Sequence, residues 1–115
     1  LTADCIFCKI AKGEIPANVV YQDDQYVVFE DIKPQAPVHL VIVPREHIAT
    51  VVDAVESKPN VLAGMMKVGV SVAKMKGLEP SGYRFVMNYG KDGGQLVQHI
   101  HIHLLGGKTL RWPPG

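Results

Sequence analysis

The sequence predicts an α+β domain built on an antiparallel sheet of about five strands, with one long helix and one short one. Three observations point there. Short runs rich in β-branched and aromatic residues recur along the chain, and they cluster on either side of a single stretch with helical apolar spacing. The last of these runs alternates strictly, as His99-Ile100-His101-Ile102-His103-Leu104.

Cys5 to Ala11 reads as the short helix, because Ile6, Phe7 and Ile10 fall at helical spacing and Gly13 is placed to end it. Val19-Val20-Tyr21 and Tyr26-Val27-Val28-Phe29 read as two strands joined by a turn over Gln22-Asp23-Asp24-Gln25. Pro34 and Pro37 bracket a loop, and His39 to Val43 is the dense β-branched run of a buried strand. The long helix begins at Pro59, which suits a first helical position. Leu62, Met65, Met66, Gly69, Val72 and Ala73 give it an apolar face, and Gly77 can close it in a left-handed cap. The methionines are core filling. Tyr83 to Tyr89 and Val97 to Leu105 complete the strands.

A chain of 115 residues fits a single domain, here residues 1–115, and is long enough to bury a core without disulfides. At 47% hydrophobic, 20% charged and net charge +1, it reads as a soluble globular protein. No basic stripe argues for a nucleic-acid or membrane partner. No run approaches the ~18 apolar residues of a membrane span, and no signal pattern opens the chain. A cytoplasmic location is therefore expected. The first residue is Leu1 rather than Met, so a few native residues are expected to precede it.

In a strand, His99, His101 and His103 share one face, with rings carried ~6.5 to 7 Å apart, while Ile100, Ile102 and Leu104 turn to the core. Three of the five histidines fall within five residues, and burying imidazoles together is costly unless each has a partner. Two chemistries fit. Alternate histidines can ligate one metal with an open position for water. Alternatively, one imidazole can act as nucleophile, its far nitrogen oriented by a hydrogen bond. The first lacks a catalytic carboxylate close by in sequence. The second needs an anion-binding element, and Gly90-Lys91-Asp92-Gly93-Gly94-Gln95 directly before the histidines offers one. Cys5 and Cys8 have zinc-ligand spacing, yet one such pair is half a tetrahedral site.

The histidine run closely resembles the signature of the histidine triad family, here continued by Leu104-Leu105. Cys5-Ile6-Phe7-Cys8-Lys9-Ile10, Glu14-Ile15-Pro16 and Phe29 through His39 are similar to its N-terminal and central segments. Gly93-Gly94-Gln95 and the ending Trp112-Pro113-Pro114-Gly115 resemble the Hint branch, the purine nucleoside phosphoramidases.

The resemblance implies a histidine triad fold and a hydrolase of adenosine phosphoramidates. His101 would attack the α-phosphorus, the amine would leave, and water would release AMP from the nucleotidyl-histidine. The His99 carbonyl would fix the tautomer of His101, His103 would bind a phosphate oxygen, and His39 would lie behind the nucleophile to orient it or shuttle protons. Asp31 would bind the ribose hydroxyls, and Phe7, Phe29 and Ile32 would line the base pocket. Asn88 and the amides around Gly94 and Gln95 would complete the ribose and phosphate contacts. The Hint branch commonly has a serine where Leu96 stands, and leucine has no hydroxyl to donate to phosphate.

Some family members similar to this chain bind zinc with the set matching Cys5, Cys8, His47 and His99, which implies a structural zinc ion and no metal in the chemistry. The resemblance also implies a homodimer, joined through sheet edges and helices, with the Trp112-Pro113-Pro114 tail reaching toward the partner's site. A dinucleoside polyphosphate hydrolase, a nucleotidyl transferase and a nucleotide-binding or zinc-containing interaction protein with weak catalysis are the alternatives. Leu96 is the only support for the last.

Overall fold

The computed structural model describes residues 4–115; residues 1–3, where the expected domain begins, lie outside them. The elements are α1 (Ile6–Ala11), β1 (Val19–Gln22), β2 (Tyr26–Glu30), β3 (Val38–Pro44), α2 (Val51–Ser57), α3 (Pro59–Met75), β4 (Tyr83–Val86) and β5 (Ile102–Gly106). The five strands form one antiparallel sheet in the order β1-β2-β3-β5-β4, which leaves β1 and β4 at its edges.

Strand alternation divides the core between the two faces of this sheet. Val28, Leu40, Ile42, Ile102 and Leu104 pack with Met65, Val72 and Ala73 of α3. On the opposite face, Val27, Phe29, Val41 and Val43 pack with Ala11, Phe7 and Ile10 at α1. Both faces of β3 are therefore covered, which is why His39–Val43 reads as a continuous apolar run. His103 pairs with Val41 in the ladder and so lies on the α1 face. The histidine side of the sheet is roofed by a helix, and that roof makes a site possible.

Leu104 is fully buried at the centre of the larger cluster. Leu104→Ala is expected to cost about 3 kcal/mol, within the usual range of about 2–5. Urea denaturation monitored by circular dichroism checks this; a loss below about 1 kcal/mol would contradict the placement of the core.

Four expectations need correction. Among the described residues there are three helices, because α2 intervenes between β3 and α3. It is opened by Thr50, whose hydroxyl accepts the Asp53 N–H, but it buries only Ala54 and so presents no apolar stripe. The fourth strand stops at Val86 instead of Tyr89. Met66 lies off the packed face of α3 and is 45% exposed, whereas Met65 is fully buried. Most important for function, β5 begins at Ile102, so Val97 to His101 precede the ladder. Pro44, at the end of β3, lacks an N–H with which to extend pairing. Its carbonyl instead accepts the Nε2–H of His99 at 2.8 Å. No helix among the described residues is long and apolar enough to cross a membrane.

Candidate active site and metal centre

His101 is held by the backbone just before it. Its Nδ1–H donates to the His99 carbonyl at 2.7 Å, which leaves the lone pair on Nε2. The ring is 7% exposed and meets the edge of Phe7, with centroids 5.0 Å apart. Phe7 in turn packs edge-on against Phe29 at 5.4 Å, so α1 and β2 together wall the His101 side of the site.

His103 belongs to a different hydrogen-bond chain. The Gln35 N–H donates to His39 Nδ1 at 3.0 Å, so His39 carries its proton on Nε2. That Nε2–H donates to His103 Nδ1 at 2.9 Å, which puts the proton of neutral His103 on its own Nε2. Asp31 lies beside this chain, its Oδ2 3.5 Å from His39 Nε2 and its Oδ1 accepting the Lys33 N–H at 2.8 Å. His101 and His103 thus present complementary atoms: a lone pair on one, an N–H donor on the next, with rings 5.0 Å apart.

His99 faces elsewhere. Its Nε2–H is committed to Pro44, so its Nδ1 lone pair points into a cluster with Cys5, Cys8 and His47. The distances are 3.3 Å to Cys5 Sγ, 3.5 Å to Cys8 Sγ and 3.2 Å to His47 Nδ1, and Cys8 Sγ lies 3.3 Å from His47 Nδ1. A tetrahedral zinc ion with bonds of about 2.0–2.3 Å holds its ligand atoms roughly 3.3–3.8 Å apart, so the four donors fit one ion. Cys5 caps α1, and its sulfur accepts the Cys8 N–H, which brings both sulfurs to one helix end. Burial and the adjacent Cys5 sulfur push the Cys8 thiol up to about 11, and a cation would reverse that balance.

Asp31, His39 and His103 also lie close enough to share an ion. The tautomers oppose this, because His39 Nε2 bears the proton whenever Nδ1 accepts the Gln35 amide. His99, His101 and His103 do not converge on a common ion: their Nδ1 atoms turn to the cysteine cluster, to a carbonyl and to His39 respectively. The three-histidine metal reading of the sequence is overturned by this geometry.

Comparison with known proteins fits the same picture. A family model described as scavenger mRNA decapping enzyme C-term binding matches residues 4–110. The crystal structure of a HIT family hydrolase from Legionella pneumophila Philadelphia 1 superposes with a TM-score of 0.94 at 50% identity, covering 97% of this chain and 100% of that one. The chain belongs to the histidine triad family. An uncharacterized HIT-like protein of Synechococcus elongatus is 45% identical over 115 residues, the full length of both chains. A 14 kDa zinc-binding protein of Zea mays is 47% identical over 112 residues, covering 96% of this chain and 87% of that one. The chain is thus a hydrolase-like histidine triad protein with a cysteine–histidine cluster suited to structural zinc.

Within this histidine triad fold, several sequence expectations shift. His39 lies behind His103 instead of behind the nucleophile, because the β3–β5 register pairs Val41 with His103 and His39 with Leu105. The amides of Gly94 and Gln95 are turned into their own loop, donating to the Lys91 and Gly90 carbonyls at 3.1 and 3.0 Å. The Asn88 amide nitrogen is likewise committed, donating to the Gly93 carbonyl at 2.7 Å. Gly93 itself allows the loop to fold, since a Cβ there would run into the Tyr89 carbonyl oxygen. Gln95 is buried, and its Nε2 donates to the Ala49 and Val97 carbonyls at 2.8 and 3.1 Å. Ile32 is 91% exposed on the loop after Asp31, and Leu96 is 92% exposed. Sequence reasoning missed the Pro44 carbonyl and the Gln35 amide, which set the tautomers of His99 and His39; backbone groups carry no side-chain signal.

Burial, together with the neighbouring His101 and His39 rings, pushes His103 down to about 4, against a weaker pull from Asp31. Burial also lowers His39 and His101, opposed in each by Asp31 and for His101 first by the His99 carbonyl. These histidines are neutral in the folded protein at pH 7. The unfolded chain takes up a proton at His103 near pH 6.5 and the folded one only near 4, so stability is full above about pH 6.5. Melting temperature is accordingly expected to fall as pH drops from 6.5 toward 4. A melting temperature that rises over that interval would contradict the neutral assignment.

Proposed function

We propose that this protein hydrolyses the P–N bond of purine nucleoside phosphoramidates, of the adenosine 5′-phosphoramidate type, and belongs to the Hint branch of its family. The observation that carries the reading is the nucleophile's geometry: His101 is locked by the His99 carbonyl with its Nε2 lone pair free, next to a neutral N–H donor on His103. Attack of Nε2 on the α-phosphorus forms one P–N bond as the substrate's P–N bond breaks, and the leaving nitrogen takes its proton from water. A second water then cleaves the adenylyl-histidine to AMP and returns His101 to its neutral form. The neutral His103 Nε2–H donates to a phosphate oxygen as charge grows there. His39 fixes that donor, and the Asp31 charge favours it. Phe7 and exposed Ile32 supply the apolar surface for a purine, with buried Phe29 backing Phe7, and Asp31 reads the ribose hydroxyls. For Asn88, Gly94 and Gln95 to bind the phosphate, their loop would have to release amide donors that it now spends on its own carbonyls.

The edge position of β4 and the 79% exposure of Trp112 support a homodimer joined at that edge, with one domain per chain. A cytoplasmic setting and AMP as the bound product accompany this reading. The zinc ion fixes structure and enters no chemical step.

The decisive assay compares adenosine phosphoramidate with a dinucleoside polyphosphate. Release of AMP and amine, at a kcat/KM well above that for the dinucleotide, supports the proposal. Preference for the dinucleotide would make this a polyphosphate hydrolase, and tight AMP binding without turnover would make it a binding protein. Asp31→Ala is expected to raise KM about 10- to 100-fold, the worth of a charged hydrogen bond, with a much smaller change in kcat. The 2′-deoxy substrate tested on the wild type should lose a similar factor; equal KM values for both sugars would remove Asp31 from ribose recognition.

A further inference from the structure

The nucleophile is not held by the sheet. β5 starts at Ile102, so Gln95 to His101 have no strand partner, yet His99, Ile100 and His101 are all at least 93% buried. Their anchors converge on one short segment, Pro44 to Ala49. The Ile100 N–H donates to the Ile48 carbonyl at 2.6 Å, the Gln95 side chain to the Ala49 carbonyl, and the His99 ring to the Pro44 carbonyl. His47, in the middle of that segment, shares the metal cluster with His99. The third member of the junction is α1, which contributes Cys5 and Cys8 to the cluster and Phe7 between them to the wall beside His101.

Two of the three groups against the His101 ring are therefore tied to the cluster; the third, His103, stands in β5. The carbonyl that fixes its tautomer belongs to His99, a ligand, and the aromatic edge against it belongs to Phe7, flanked by two ligands. The α3 side of the core contains neither Phe7 nor any of the four ligands; only Ile48 and Ile100, from the two clamped segments, pack into it beside Val28, Leu40, Ile42, Met65 and Leu104.

We infer that metal held by Cys5, Cys8, His47 and His99 positions the nucleophile, clamping Gln95–His101 and α1 together so that the His99 carbonyl and Phe7 hold the His101 ring. The inference rests on the proposed role of His101 and deepens it. Without metal, the sheet and α3 stand while the nucleophile's segment loosens. His99 and Phe7 act as positioning residues, and the metal takes no part in bond making. A reacting group displaced by about 1 Å loses on the order of 10²-fold in rate, so modest loosening has a large effect.

The test uses ¹⁵N-histidine-labelled full-length protein that is zinc-loaded, stripped with chelator, and reloaded. It reads the solvent exchange of the His101 Nδ1–H beside kcat and KM for adenosine phosphoramidate. Stripping is expected to speed that exchange by at least about tenfold and to lower kcat about 10- to 100-fold, while KM and the protection of β2 and β3 amides hold and zinc restores both. His47→Ala should behave as the stripped protein. His47→Cys, which keeps a four-ligand zinc set, should recover in proportion to its bound zinc.

Unchanged exchange in zinc-free protein would overturn the inference. Collapse of protection throughout β2 and β3 would overturn it too, by making the ion a general folding element. So would a zinc-bound His47→Cys that behaves like His47→Ala. Absence of turnover in the loaded protein bears on the hydrolase reading alone, because the exchange measurement decides positioning without it.

Discussion

His101→Ala is expected to abolish hydrolysis of adenosine phosphoramidate, lowering kcat by on the order of 10⁴ to 10⁶. The magnitude follows from the role. A nucleophile divides one difficult displacement into two easier ones, and no neighbouring group can replace it. His99 has its Nε2–H on Pro44 and its Nδ1 in the cysteine cluster, and His103 has its Nδ1 occupied by His39. Fold and zinc content should survive, because the His101 side chain is not one of the cluster's four donors. AMP affinity should change much less than kcat, since the edge contacts to Phe7 and His103 and the bond to the His99 carbonyl are internal to the protein. Residual turnover within about tenfold of wild type would assign the nucleophile elsewhere.

The second large effect is expected at His103. His103→Ala should lower kcat about 10²- to 10³-fold, the usual consequence of removing one donor aimed at developing negative charge. The hydrogen-bond chain from the Gln35 amide through His39 makes His103 a neutral N–H donor, and burial holds it down to about 4. It is therefore a hydrogen-bond donor near pH 7 and not a proton donor. The defect should accordingly be similar for substrates with basic and weakly basic leaving amines, and the acid limb of the pH–rate profile should remain where the wild type has it. A loss confined to basic leaving groups, together with a moved pH limb, would identify His103 as a general acid.

Much of this architecture is legible in the sequence, and the failures have identifiable causes. β2, β3 and α3 announce themselves because burial imposes a period or a continuous apolar run on their residues. Val51–Ser57 buries only Ala54, so no period betrays α2; the Thr50 to Asp53 capping pair was its one local signal. The overlong last strand has a subtler origin. Ile100 is buried like Ile102 and Leu104, so the alternation of side chains continues upstream of Ile102 although the hydrogen-bond ladder does not. Pattern reports burial, and pairing also needs a partner, which Pro44 fails to provide.

The site divides in the same way. The chemical identity of the three histidines is visible in their spacing, and Cys5 and Cys8 declare half of a metal site. Which nitrogen of each ring faces which partner depends on the β3–β5 register and on backbone groups of Gln35, Pro44 and His99. Those facts give a row of similar residues different partners: the Cys5–Cys8–His47 cluster for His99, a carbonyl for His101 and His39 for His103. The proposed roles of ligand, nucleophile and hydrogen-bond donor rest on those partners. Spacing alone left a three-histidine metal centre open, and tautomer chemistry in the folded chain rejects it.

The central claim is that a covalent bond forms at His101 Nε2. The most direct measurement is rapid acid-free quenching of wild-type protein during turnover of adenosine phosphoramidate, followed by intact mass and peptide mapping. The account predicts a fraction of chains heavier by one adenylyl group, with the label on His101 and absent from His101→Ala. An adenylyl group on another residue, or undiminished turnover in His101→Ala, would contradict it.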